Sequence, residues 1–202
     1  MKAVEPIRDI KIIKIMRTYL RGQSTRNELL FILGINVGLR ISDILKLTFE
    51  DLINFNTMNI KEYVVITEKK TSKTKKFYIG PIVKKLIEIY IAEIQNINQD
   101  TYVFKSKKYE NKPISRQHAW YILNYAAEMI GIVQRDIKGN IISGEIGTHT
   151  MRKTFGYHAY NNGTSLELLM DIFNHSSKSQ TLRYIGITED QKKEVYLQSN
   201  LG

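Results

Sequence analysis

The sequence predicts an α+β fold that is mainly helical, with a small antiparallel sheet, a β-hairpin, inserted in its first half. Most of the chain sets apolar residues at helical spacing behind capping residues. Residues 62–67 alone combine β-branched and aromatic side chains in the manner of a strand. Five lysines in the eight positions 69–76 follow, then Phe77-Tyr78-Ile79, which predicts a hairpin with a very basic tip. At 202 residues and 43% hydrophobic composition the chain is long enough for one good core, and it shows no repeat or linker.

Taken in order, residues 7–20 carry Ile12, Ile13, Met16, Tyr19 and Leu20 at helical spacing. Thr25 and Glu28 form a capping-box pattern before a strongly apolar helix that should end near Gly38. Ser42 then caps a short helix, and residues 49–59 read as loop. After the hairpin, Pro81 opens a helix to about Asn96, with Val83, Leu86, Ile87 and Tyr90 on its inner stripe. Residues 102–104 suggest a short strand, and Ser115 caps a helix that ends at Gly131. Residues 135–147 are polar and glycine-containing, a loop. Thr148 caps the next helix, and Thr164 with Glu167 repeats the capping-box pattern. A turn at 174–179 leads to a short helix holding Leu182, Tyr184 and Ile185, and Thr188 with Gln191 opens a last helix.

The formal net charge is +10, which makes nucleic acid the leading partner and an anionic membrane surface the second. There is no cysteine, so disulfides, thiolate metal sites and thiol nucleophiles are excluded. The first residues lack the apolar stretch of a signal peptide, and the longest uncharged run is too short to span a bilayer. A cytoplasmic protein is expected. The four histidines, His118, His149, His158 and His175, show no metal-ligand spacing, and no glycine-rich phosphate loop is present. Neither a metal, a cofactor nor a nucleotide is therefore expected.

Residues 147–185 hold the densest chemistry. His149 and Arg152, three apart, share a helix face, and His175 and Tyr184 follow after an apolar segment. Arg40 sits between two apolar residues just after a helix-ending glycine. It either satisfies helix-end carbonyls or pairs with Asp43, or it grips a phosphate bidentately.

Gly38-Leu39-Arg40-Ile41-Ser42-Asp43, Lys70-Thr71 in the hairpin, His149-x-x-Arg152, and His175 nine residues before Tyr184 occur in that order over most of the chain. This ordered set resembles the tyrosine recombinase, or phage integrase, family. The resemblance implies that residues 1–202 form a single catalytic domain, with no separate core-binding or arm-binding domain before it. It implies site-specific cleavage and rejoining of double-stranded DNA through a 3′-phosphotyrosyl intermediate, with self-association on the DNA. Arg40 and Arg152 would hold the phosphate oxygens, and Tyr184 would attack the phosphorus. Lys70 would protonate the leaving oxygen, with Lys69 and Lys73 as alternatives. His149 would assist proton transfer at the tyrosine, His175 would hydrogen-bond the phosphate, and Asp43 would orient Arg40 or His149. Lys69, Lys73, Lys75 and Lys153 are the expected DNA-binding lysines. Asn174 and Lys153 depart from the family's usual Gly and His. Asn tolerates the left-handed turn needed at 174.

Two other functions fit parts of the pattern. A type IB topoisomerase-like activity shares the tyrosine chemistry. A non-catalytic regulator would use residues 164–185 as a helix-turn-helix, leaving Arg40, Lys70 and Arg152 without a joint role.

Overall fold

The computed structural model describes residues 4–68, 73–147, 149–187, 196, 197 and 199. The first helix, α1 (Ile10–Gln23), is capped by Asp9, whose carboxylate accepts from the Lys11 N–H at 2.7 Å. The next, α2 (Thr25–Val37), is buried on nearly every side, with Leu29, Leu30, Phe31 and Leu33 fully enclosed. It packs on α1 and on two later helices, and this is the centre of the main core.

The cap of α2 corrects the sequence reading. Ser24, not Thr25, is the N-cap, and its hydroxyl accepts from Asn27. Glu28 is 1% exposed and faces Arg17 at 2.7 Å, because a carboxylate buried on a helix face needs a cation more than a cap does. The helix ends as expected at Gly38, in the left-handed region at φ 62. A Cβ there would also collide with the ring of Phe155, so both backbone and space require glycine.

Beyond Gly38 come α3 (Ile41–Ile44) and α4 (Phe49–Leu52). Arg40, not Ser42, occupies the N-cap of α3. The segment expected to be loop holds α4, opened by a Thr48–Asp51 capping box, and the small ladder of β1 (Ile53–Asn54) with β2 (Asn59–Ile60). The box decides this local structure, since Phe49 and Leu52 alone give too little periodicity.

The expected hairpin is present as β3 (Tyr63–Thr67) and β4 (Thr74–Tyr78), antiparallel, with Ile66 opposite Lys75 and Thr67 opposite Thr74. Helix α5 (Pro81–Glu93) buries Val83, Leu86, Ile87 and Tyr90. Residues 102–104 form no strand: Tyr102 makes one isolated bridge, to Thr48, and Val103 and Phe104 lie in a turn. Helix α6 (Arg116–Met129) is capped by Ser115. The segment read as loop after it forms a second hairpin, β5 (Gln134–Arg135) with β6 (Ile141–Ser143), turned by residues 136–140. Asp136 drives that turn by accepting from Lys138 and Asn140.

Three helices close the described chain: α7 (Thr150–Asn161), α8 (Leu166–Phe173) and α9 (Lys178–Ile185). Ser165 caps α8, not Thr164, and Glu167 reaches Lys178 instead of closing a box. Leu169, Phe173 and Ile185 form a second, small core against Phe155. The expected last helix lies outside the described residues. No described helix is long and apolar enough to cross a membrane.

Candidate active site

Helix α7 is the frame of the site, and its start is fixed from three sides. Both amide atoms of the buried Asn124 side chain hold the Ile146 backbone. Gly147 N–H donates to Thr150 Oγ1, and the Ile7 N–H donates to Thr154 Oγ1. His149 thereby falls at the N-cap of α7 without a side-chain cap hydrogen bond, and Thr148, the expected cap, lies outside the described residues.

Arg152, one turn on, is 2% exposed. Its Nη1 donates to the Gly38 carbonyl at 2.7 Å and its Nη2 to the Phe173 carbonyl at 2.9 Å, while its guanidinium lies over the Phe173 ring. Burial lowers its pKa, and the neighbouring Tyr184 hydroxyl opposes that shift. Arg40 comes from the other end of the fold and lies beside Glu68, Nη1 to Oε2 at 2.7 Å, with both side chains largely enclosed. The two guanidinium groups reach the same electrostatic neighbourhood, since both act on Tyr184 and on His175.

Tyr184 lies on α9, half-buried. Its Oη is 3.3 Å from His149 Nδ1, and the two rings meet edge to face. In the Nε2–H tautomer, His149 accepts the phenolic proton. Its pKa is lowered, by partial burial first and then by Arg152, Arg116, Lys153 and Arg40, all of which favour the neutral ring. Burial raises the Tyr184 pKa, and Arg152 and Arg40 pull against it. The Lys153 ammonium sits over the Tyr184 ring at 5.4 Å.

His175 reaches the same group through the turn after α8. Asn174 takes the left-handed conformation at φ 54, ψ 50, as the sequence required of it. The His175 ring then stacks edge-on against Tyr184 and is held by Thr181 Oγ1 at 3.1 Å. Burial, followed by Arg152 and Arg40, lowers its pKa.

Arg40, His149, Arg152, His175 and Tyr184 are therefore brought into one neighbourhood. Lys70 and Lys69 lie outside the described residues. Asp43 is buried beside Arg40 on α3. Lys153, expected on the DNA surface, is 8% exposed and turned toward the tyrosine. Lys73 reaches Asn174 Oδ1 at 2.9 Å, and Lys75 reaches the Ile172 carbonyl at 2.7 Å. Tyr196, another tyrosine near the end of the chain, is 80% exposed. Of the other histidines, His158 bonds the Ile7 carbonyl and His118 stacks on Tyr121.

Sequence reasoning missed Glu68 as the partner of Arg40 and the inward direction of Lys75. Strand alternation carries a signal for the second, because Lys75 shares a face with the buried Phe77.

The model of the phage integrase family matches residues 8–191. The chain belongs to that family. It is 41% identical over 196 residues to the probable integrase/recombinase YoeC of Bacillus subtilis (strain 168), covering 97% of each chain. To tyrosine recombinase XerD of Halalkalibacterium halodurans it is 24% identical, covering 86% of this chain and 53% of that one. The chain thus spans about half the length of such XerC and XerD relatives. In structure it is similar to XerA recombinase, with a TM-score of 0.72 at 16% identity over 98% of this chain and 66% of the other. It is also similar to the Tn1549 transposon integrase in complex with a circular intermediate DNA, with a TM-score of 0.68 at 17% identity over 98% and 67%. These likenesses show that the fold is that of tyrosine recombinase catalytic domains.

Proposed function

We propose that this integrase-family chain cuts and rejoins double-stranded DNA at specific sites, in the integration, excision or resolution of mobile DNA. The observation that carries the reading is the Tyr184 hydroxyl, 3.3 Å from a histidine whose neutral form is favoured and near the buried Arg152 and the half-buried Arg40. Kinship with an integrase/recombinase and likeness to a recombinase solved with DNA support it. The net charge of +10 suits a phosphate backbone.

In this reaction Tyr184 Oη attacks the scissile phosphorus and its proton passes to His149. The bond from phosphorus to the 5′ oxygen breaks, and Lys70 gives that oxygen a proton. The product strand carries a 3′-phosphotyrosyl ester, and the other ends in a 5′-hydroxyl. Arg40 and Arg152 offset the charge that gathers on the non-bridging oxygens, and His175 adds a hydrogen bond there. Asp43 acts through Arg40. A guanidinium has five donors, so Arg40 keeps Glu68 and still receives phosphate. Because the ester retains the bond's energy, a 5′-hydroxyl from another strand reverses the step. Exchange between two duplexes then requires copies of the chain to associate on DNA.

A suicide duplex, selected from a randomised pool by covalent capture on the wild-type chain, tests this. Wild type gives an SDS-resistant adduct; Tyr184→Phe gives none and still binds the duplex. An adduct that survives Tyr184→Phe would overturn the assignment. Relaxation of supercoiled plasmids lacking the captured sequence would favour topoisomerase-like action instead. Binding without any adduct would favour the helix-turn-helix regulator.

A further inference from the structure

We infer that Lys75 is a positioning residue, whose ammonium clasps the β3–β4 hairpin to the carbonyl end of α8, the helix end that leads on to the segment bearing Tyr184. This rests on the proposed roles of Tyr184 and Lys70.

The end of α8 supplies the first argument. The N–H groups of Asn174 and His175 turn back to the carbonyls of Asp171 and Met170. The next two carbonyls, of Ile172 and Phe173, go to cations from other elements: Lys75 at 2.7 Å and Arg152 at 2.9 Å. Helix-end carbonyls carry partial negative charge, so both contacts are favourable. Lys73 then bonds the Asn174 side chain at 2.9 Å. Three successive residues of one turn are held by Lys73 just before β4, Lys75 within it, and one arginine of α7.

The hairpin supplies the second. Its neighbour Lys76 turns outward, over the Tyr63 ring at 4.2 Å, as a strand-edge lysine ordinarily does. Lys75 turns inward, opposite Ile66, although burial and the nearby Arg152 lower its pKa to about 8. Glu68 and Asp43 offset that pressure, and Arg40 adds to it. An inward lysine among two arginines is retained here by its bond to the protein backbone, which makes it a strut rather than a phosphate ligand. The hairpin root is pinned on the opposite side as well. Glu68 faces Arg40 at 2.7 Å, and its N–H donates to the Lys73 carbonyl.

The root is thus indexed both to the arginine that grips phosphate and to the turn that leads to Tyr184. In the sequence, residues 69–72, which include Lys70, join the two strands. A displacement of about 1 Å at a reacting group costs roughly 100-fold in rate.

The test compares wild type, Lys75→Met and Lys75→Arg on the captured suicide duplex, with either oxygen or sulfur at the 5′-bridging position. A sulfur leaving group needs no proton, so it bypasses the acid. Lys75→Met should form adduct about 30- to 100-fold more slowly with oxygen, and within about 3-fold of wild type with sulfur. Lys75→Arg should restore most of the oxygen rate. Equal losses with oxygen and sulfur, or no loss with oxygen, would overturn the proposal. Amide exchange in the DNA-free chain tests the clasp without catalysis. Lys75→Met should speed exchange in residues 73–78 and 170–176 together while α2 stays protected, and unchanged exchange in either segment would overturn the clasp. Absence of any wild-type adduct would overturn the catalytic reading itself, with the exchange result still deciding the clasp.

Discussion

The residues behind Arg40 and those behind Tyr184 are supported very differently. Arg40 follows α2, whose Leu29, Leu30, Phe31 and Leu33 are sealed in a core that runs from Ile7 to Met151. Tyr184 rests on α8 and α9, whose own core holds Leu169, Phe173 and Ile185. A small core opens at lower free energy than a large one. The proposed phosphate grip thus belongs to the larger core, whereas the proposed nucleophile belongs to the smaller, more easily opened one. Arg152 straddles the two, bonded to Gly38 on one side and Phe173 on the other.

Removing that bridge should have the largest effect. Arg152→Ala takes away the proposed phosphate ligand and both carbonyl ties, and adduct formation should slow by about 100- to 1,000-fold in a single-turnover assay. Retention of a near wild-type rate would mean that the two regions do not meet at one phosphate.

A pair of truncations sharpens the contrast. Leu30→Ala should cost about 2–5 kcal/mol and Phe173→Ala about 3–5 kcal/mol locally. The first should lower the denaturant midpoint of the whole chain, while the second should raise amide exchange in α8 and α9 ahead of α2. Identical exchange patterns would erase the distinction. Gly156→Ala is a gentler probe, since its Cβ would lie 2.6 Å from the Phe173 ring and from Ile185. Overpacking there should cost about 1–3 kcal/mol, slow adduct formation and leave DNA affinity unchanged in a filter-binding assay.

The smallest effect is a pH dependence. His149 and His175 both have lowered pKa values in the folded chain. Just below the ordinary histidine pKa of about 6.5, the unfolded chain therefore binds more protons than the folded one. The sign follows: stability is full above that pH and falls as pH drops through the depressed values. A thermal-melting series from about pH 7.5 to about pH 5.5 should show a shallower decline in His149→Gln than in wild type. Equal slopes would remove His149 from the set.

Much of this was legible because the signals were local. Gly38 announces the end of α2, Asn174 announces a left-handed turn, and the spacings of His149 with Arg152 and of His175 with Tyr184 lie within short stretches. The losses came where the deciding partner is distant in sequence. Asp43 is the nearest carboxylate to Arg40, yet the facing carboxylate at 2.7 Å is Glu68, on the far side of α4 and β3. Glu28 looked like a cap because sequence spacing cannot show Arg17 folding back upon it. The second hairpin was invisible because Gln134 and Arg135 carry no alternating apolar signal, and the Asp136 turn holds them.

Gly38 ties these observations together. It stands two residues before Arg40, and its carbonyl oxygen holds Arg152. The gauge of the two-arginine grip is therefore fixed by a stub of backbone, although its jaws come from opposite ends of the chain. One insertion between Gly38 and Arg40 would misalign the jaws more surely than a larger loop placed anywhere on the surface.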